Sequence, residues 1–288
     1  MKDVSEQDLA GNLRRVAKRG DARSVVKVGD VRFGDGGFVV IGGPCTVESR
    51  EQVIDIAMAV KAAGASMLRG GAFKPLTFPY RSQTVFELGM DGLKYLREAG
   101  DRAGLPIVSE VTDARRVGEM AAICDMLQVG ARNMQHFGLL EELGKVNKPV
   151  LLKRHFGASL RDWLGAAEYL VHHGADQVVL CERGIVAPHT HVPTSRFIVD
   201  LQVVPAAQEI THLPIIVDPS HSTFRRTFVA PVSRAALAIG ADGIILDVHP
   251  TPEKAAVDPL QALSYPAFGA LMQELRGIGA ALHRSVGR

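Results

Sequence analysis

Four residues of metal-binding types, Cys45, His221, Asp247 and Asp258, each follow a short apolar run. Cys45 stands in IGGPCTVES, after Phe38-Val39-Val40-Ile41, two glycines and a proline. His221 follows PIIV in DPSHST, Asp247 ends GIILD, and Asp258 lies in the loop beyond it. Each has an ordinary explanation by itself: a free cysteine is commonly a small buried apolar residue, His221 is placed to cap a helix, and Asp258 to be a surface acid. Taken together, soft sulfur, imidazole nitrogen and hard carboxylate oxygen make a mixed site for a divalent transition metal. The CxxC spacing of a structural zinc site is absent, which points to a catalytic, exchangeable ion. A second set is cationic: Arg69, Lys74, Arg132, Lys153, Arg154 and Arg183. Cations held at strand ends are costly unless an anion neutralises them. Glu110 and Glu182 can neutralise some, but cations still outnumber acids, so a small polyanionic ligand is expected. A metal beside such a pocket suits Lewis-acid activation of a carbonyl next to a phosphorylated substrate.

These residues need a frame that gathers strand ends. Apolar runs alternate with amphipathic stretches throughout: Phe38 to Gly42, then SMLRG, PIVSE, DMLQVG, PVLLKR, QVVLCERG, PIIVDPSH and GIILDVHP. Helical patterns such as Glu51 to Ala63, Leu160 to His172 and Val229 to Ile239 lie between them. About eight strands with a helix after each predict an α/β fold of the (β/α)8 TIM-barrel type. Chemical residues fall at the ends of the runs (Cys45, Arg69, Glu110, Arg132, Lys153, Glu182 with Arg183, His221, Asp247), which places them together on the C-terminal face. Residues 1 to about 22 read as a charged helix with Leu9, Leu13 and Val16 on its apolar face. SVVKVGDVRF and GGFVVIG read as a β-hairpin turning at Gly34-Asp35-Gly36-Gly37. The expected division is an N-terminal helix and hairpin over 1–36 and a catalytic barrel over 37–288, closed by a last helix from Leu260 to Leu282.

A net charge of +2 with scattered basic residues gives no case for nucleic acid. No apolar run approaches the ~20 residues that span a bilayer, and the polar start MKDVSEQDLAGNLRRV is unlike a signal peptide. Three widely spaced cysteines argue against a disulfide framework and for a reducing cytoplasm.

The segments KVGDVRFGDGGFVVIGGPCTVES, LRGGAFKP, VSEVTD, DMLQVGARNMQ, PVLLKR, VVLCERGI, HLPIIVDPSH, ADGIILDVHP and PEKA resemble the metal-dependent 3-deoxy-heptulosonate-phosphate (DAHP) synthases, in the branch related to 3-deoxy-octulosonate-phosphate synthase. The resemblance covers about residues 25 to 265. It implies condensation of phosphoenolpyruvate with erythrose 4-phosphate, giving DAHP and inorganic phosphate. It also implies Cys45, His221, Asp247 and Asp258 as ligands of a divalent metal: Mn2+ first, with Fe2+, Co2+ or Zn2+ as alternatives. Arg69, Lys74, Thr77, Glu110, Arg132, Lys153 and Arg183 are then substrate-binding, and Cys45, Lys74 and His221 catalytic. A homodimer or homotetramer is the expected assembly. With about two dozen residues before the hairpin, feedback by aromatic amino acids through an added N-terminal domain is not expected.

The sequence departs from that family in four places. Its Lys-Pro-Arg-Thr-Ser-Pro loop reads Lys74-Pro75-Leu76-Thr77-Phe78-Pro79 here, and a usual glutamate ligand is Asp247. The stretch after CERGI, VAPHTHVPTSRFIVD, is altered, and Phe224 stands where glycine is usual. Losing an arginine–phosphate contact costs about 2–3 kcal/mol, which Arg225 and Arg226 are positioned in sequence to offset. The alternative is the same phosphoenolpyruvate chemistry on a different aldehyde, one without a phosphate included, in a specialised biosynthetic pathway. Two other classes are a binding protein on a barrel scaffold, which would not need the ligand set, and a Schiff-base aldolase using Lys153.

Overall fold

The structure, a computed structural model, describes residues 4–74, 87–188 and 197–287. Its centre is a closed barrel of eight parallel strands. They are β3 (Val39–Gly43), β4 (Met67–Arg69), β5 (Ile107–Glu110), β6 (Met126–Val129), β7 (Val150–Lys153), β8 (Val178–Glu182), β9 (Ile215–Val217) and β10 (Gly243–Asp247). β10 pairs with β3 to close the ring, with Asp247 opposite Gly43. All eight are the runs expected from the sequence, because strands buried on both faces read as continuous apolar segments.

Alternate residues serve two cores. Val39, Ile41, Met67, Val108, Met126, Leu151, Val179, Cys181, Ile216 and Ile245 fill the barrel. Their neighbours, among them Val40, Leu68, Ile107, Leu127 and Leu180, face the surrounding helices. Those helices include α1 (Arg50–Ala63), α2 (Gly89–Ala103), α3 (Val117–Ile123), α4 (Phe137–Gly144) and α5 (Leu160–His172). Further along are α6 (Val203–Ile210), α7 (Pro219–Thr223), α8 (Arg226–Ala238) and α9 (Tyr265–Ala281). Several carry legible caps. Ser49 accepts from the Gln52 N–H at 3.1 Å to start α1, and Ser159 with Asp162 makes a capping box for α5. Trp163, fully buried on α5, donates its indole N–H to the Leu152 carbonyl at 3.2 Å and so fixes α5 against the strand that ends in Lys153.

Three boundaries differ from expectation. The hairpin exists, but it pairs β1 (Val26–Val28) with β2 (Val31–Phe33). Its turn is Gly29-Asp30, where Gly29 takes a φ of 57°. Gly34–Gly37 instead leads into GGFVVIG, whose apolar run is claimed by two parallel barrel neighbours. Val26, Val28, Val31 and Phe33 share the inner barrel cluster. Lys27 N–H donates to Gln177, next before β8, at 3.0 Å, so the hairpin plugs the N-terminal end of the barrel. Among the described residues, the expected helix over residues 1 to 22 is reduced to a π-helical turn at Asp8–Asn12. Beyond it the backbone finds partners outside the segment: Glu168 accepts from the N–H groups of Arg15 and Val16, and Ala17 bridges to Thr211. The last helix starts at Tyr265 rather than Leu260, because Ser264 caps it and Leu263 bridges back to Val248.

Candidate active site

The four expected metal ligands meet at the C-terminal end of the barrel. Cys45 follows β3, His221 lies on α7 after β9, Asp247 ends β10, and Asp258 is in the loop beyond. Their ligand atoms all lie within 4.8 Å of one another. Cys45 Sγ is 3.3 Å from Asp258 Oδ2 and 3.9 Å from His221 Nε2. His221 Nε2 is 3.7 Å from Asp247 Oδ2 and 3.8 Å from Asp258 Oδ2. Atoms ligating one ion at about 2.0–2.3 Å stand roughly 3–4 Å apart from each other, so the spacing and the S/N/O/O donor set both fit a single transition metal. Asp247 reaches the cluster although its side chain is shorter than the family's usual glutamate.

The supports of this cluster are as ordered as the cluster itself. Asp218, wholly buried, caps α7 by accepting from the His221 N–H at 2.9 Å, and its carboxylate also lies 2.9 Å from His221 Nδ1. That pairing turns Nε2 toward the other ligands, the usual carboxylate–histidine arrangement at metal sites. Burial pushes the Asp218 carboxyl up, but His221 and Lys153 outweigh it and hold it well below the ordinary range. Asp247 is gripped from both sides, by Arg69 and by Gln261, whose amide donates at 2.6 Å. Lys74 Nζ donates to Cys45 Sγ at 3.1 Å and to the Cys45 carbonyl at 2.8 Å.

The cluster opens into a cavity of about 500 Å³. Arg69, Lys74, Glu110, Arg132, Lys153, Arg183, His221 and Asp258 all line it, together with Gln128 and an apolar wall. The cavity therefore joins the two residue sets singled out from sequence. Lys153 is bound by Asp218 and Glu110 by Gln128 at 3.0 Å. Arg183 is buried, and its Nη1 has no hydrogen-bond partner among the described residues. Arg154 does not line the cavity: Glu182 at 3.1 Å and Asp200 at 2.8 Å hold it inside the fold. Thr77, with Leu76 and Phe78, lies outside the described residues, as do 189–196 of the altered stretch after CERGI.

Comparison with known proteins bears on what the cavity is for. Residues 15–281 match the DAHP synthetase I family. The chain belongs to that family. It is 46% identical over 259 residues to phospho-2-dehydro-3-deoxyheptonate aldolase of Thermotoga maritima, covering 90% of this chain and 75% of that protein. The crystal structure of the Thermotoga enzyme, a DAHP synthase, superposes with a TM-score of 0.86 at 44% identity, over 92% of this chain and 76% of the other. A truncated form of 3-deoxy-D-arabino-heptulosonate 7-phosphate synthase from the same organism gives 0.85 at 42% identity, over 94% of this chain and 98% of the other. The 2-dehydro-3-deoxyphosphooctonate aldolase of Syntrophotalea carbinolica is 29% identical over 272 residues, 88% of this chain and 96% of that one, in keeping with the related branch.

In this family member the Asp258 loop is held by residues that no sequence motif marks. Glu48, three residues after Cys45, accepts from the Ala256 N–H at 2.9 Å and from Gln52 at 2.8 Å. On the other side, Arg226 donates to the carbonyls of Ala262 at 2.7 Å and Pro259 at 2.9 Å and pairs with Glu253. Arg226 is therefore committed to this loop and is not placed to grip a phosphate. Arg225 stacks on Phe228, 5.3 Å from the ring centre, and does not line the cavity. Asp258 takes a left-handed φ of 55°, a conformation that short polar side chains tolerate better than most. The signal for the loop was the PEKA segment itself, but nothing in it names distant partners.

Proposed function

We propose that this chain condenses phosphoenolpyruvate with erythrose 4-phosphate, releasing DAHP and inorganic phosphate, as a cytoplasmic, metal-dependent synthase. The observation that carries the reading is one cavity lined both by His221 and Asp258 of the four-residue cluster and by a cradle of cations. A divalent transition metal bound by Cys45, His221, Asp247 and Asp258 supplies Lewis-acid polarisation of the acceptor carbonyl. We assign Mn2+ first, with Fe2+, Co2+ and Zn2+ compatible with the same donors.

Arg132, Lys153 and Arg183 hold the phosphate and carboxylate of phosphoenolpyruvate, with Arg183 Nη1 left open for an anion. Arg69 is shared between this cradle and Asp247. Glu110 stays on the cavity wall to position water or an enol oxygen. C3 of phosphoenolpyruvate forms a bond to the aldehyde carbon, and water adds at C2 as phosphate leaves. Lys74, the cation nearest Cys45 Sγ, is placed to offset charge developing on the aldehyde oxygen. Lys153 works as a point charge rather than a Schiff-base amine, because Asp218 keeps its ammonium paired. Holding both reactants in one charged cavity supplies orientation as well as electrostatics.

Residues 1–36 act as the closure of the barrel's far end and 37–288 as the catalytic unit, assembled as a homodimer or homotetramer. Three unpaired cysteines suit a reducing compartment, and no helix among the described residues is long and apolar enough to cross a membrane. The test is phosphate release from phosphoenolpyruvate and erythrose 4-phosphate with Mn2+. Turnover that disappears on chelation and returns with metal supports the reading; turnover unaffected by chelation refutes the metal's role.

A further inference from the structure

The cavity has two unlike halves. Residues from the ends of β4 to β8 line one of them, and apart from Gly130 and Ala131 they are charged or polar. Beyond Arg183 the described lining residues are Val186, Phe197, His221, Phe224, Val257 and Asp258. Setting aside the two metal ligands, all of these are apolar, and Phe156 joins them from the loop after β7. The rings form one surface: Phe156 and Phe197 have centroids 5.4 Å apart, and Phe197 and Phe224 5.6 Å. Arg183 stacks on Phe197 at 4.3 Å, so this wall meets the cation cradle edge to edge.

Phe224 sits there at a conformational cost. It is the C-cap of α7, three residues after His221, with a φ of 53°. A bulky side chain in the left-handed region is an outlier, and such outliers collect where the side chain is needed. Phe156 and Phe224 are only partly buried, and both line the cavity. Phe224 and Val257 line the cavity close in the chain to His221 and Asp258, so an acceptor whose carbonyl reaches the ligand cluster has this wall beside its remaining atoms. An ionised phosphate gains nothing from such a wall, whereas an apolar group is favoured there.

We propose that the site has a second acceptor class: aldehydes whose distal end is unphosphorylated and apolar, aryl or branched alkyl. This rests on the phosphoenolpyruvate reading above and extends it. The step balances without a further reactant. C3 of phosphoenolpyruvate bonds to the aldehyde carbon, and the aldehyde oxygen takes a proton to become a hydroxyl. Water supplies the new oxygen at C2, and the bond from C2 to the phosphate oxygen breaks, releasing inorganic phosphate. The product is a 4-hydroxy-2-oxo acid carrying the apolar group.

The experiment compares phosphate release with erythrose 4-phosphate, phenylacetaldehyde, 3-methylbutanal and glyceraldehyde, using Mn2+-loaded protein, with products identified by mass. The two apolar aldehydes should exceed glyceraldehyde in kcat/KM by about tenfold or more. Phe224→Gly, which suits the left-handed backbone, should erase that advantage and shift preference toward the phosphorylated acceptor. Phe224→Asn, also tolerant of that φ, gives the same reading should the glycine variant fail to fold. Turnover of erythrose 4-phosphate with no advantage for apolar aldehydes overturns the inference and leaves the main reading intact. Turnover of apolar aldehydes alone upholds the inference and removes the erythrose 4-phosphate assignment. An apolar advantage that survives both Phe224 substitutions overturns the role given to the wall.

Discussion

Glu48 accepts a hydrogen bond from the Ala256 N–H at 2.9 Å, across 208 residues of chain. It ties the turn after β3, which carries Cys45, to the loop that carries Asp258, so two candidate ligands from opposite ends of the barrel sequence are held in register. Residues that orient ligands are worth about 10–100-fold in metal affinity. Glu48→Ala should therefore weaken Mn2+ or Co2+ binding by about tenfold or more, measured by titration calorimetry, with little change in the melting temperature of the metal-free protein. Unchanged affinity would reduce Glu48 to a surface contact.

Thiol chemistry should single out one cysteine of three. Cys124 and Cys181 have no exposed surface, and burial pushes their thiols up, that of Cys124 to about 12. Cys45 keeps a little surface and has a cation 3.1 Å from its sulfur. A thiol reagent should label one site in metal-free protein and none after Mn2+ is bound, read by intact mass. Cys45→Ser should abolish the labelling; a second labelled thiol in native protein would contradict the burial of the other two.

Asp218 compensates Lys153 and orients His221 from one buried carboxylate. Breaking a buried pair by removing one partner costs about 3–5 kcal/mol. Asp218→Asn should lose stability on that scale in urea, and the double variant with Lys153→Met should recover part of it. The carboxyl is held below its ordinary value, so its contribution is complete above the unfolded carboxyl's pKa of about 3.9 and fades only as pH falls through the depressed one. Mild acid should leave this pair intact, and a stability loss confined to the variant at neutral pH is the expected pattern.

The barrel was readable because strands buried on both faces announce themselves as apolar runs, and each ended in a residue with chemistry. Cys45, His221 and Asp247 were found by that rule, since the strand end fixes where they point. What stayed hidden depends on partners far away in sequence. Arg154 looks like Lys153 on paper, yet Glu182 and Asp200 draw it out of the cavity. Arg226 likewise carries no mark separating a phosphate ligand from a loop clasp. The N-terminal helix is shorter than expected because a thin apolar stripe cannot reveal that Glu168 and Thr211 offer its backbone other partners. The hairpin turn differs from the sequence expectation because two glycine-bearing turns lie close together and only strand pairing decides between them.

Gly130 gives a test of Glu110 that leaves the backbone alone. Its φ of −67° and ψ of 156° suit any residue, so glycine is not there for conformational freedom. A methyl group at that position would stand 2.0 Å from Glu110 Oε1 and 2.6 Å from its carboxyl carbon. Gly130→Ala must therefore push the carboxylate from its seat against Gln128 while the barrel, whose strand β6 ends just before it, keeps its pairing. Displacing a positioning group by about 1 Å can cost about a hundredfold, so kcat/KM for phosphoenolpyruvate should fall on that order. In a Glu110→Ala background the methyl has nothing to displace, so adding Gly130→Ala should cause no further loss. Additive losses in that double variant would mean the alanine acts through the β6 backbone and not through Glu110.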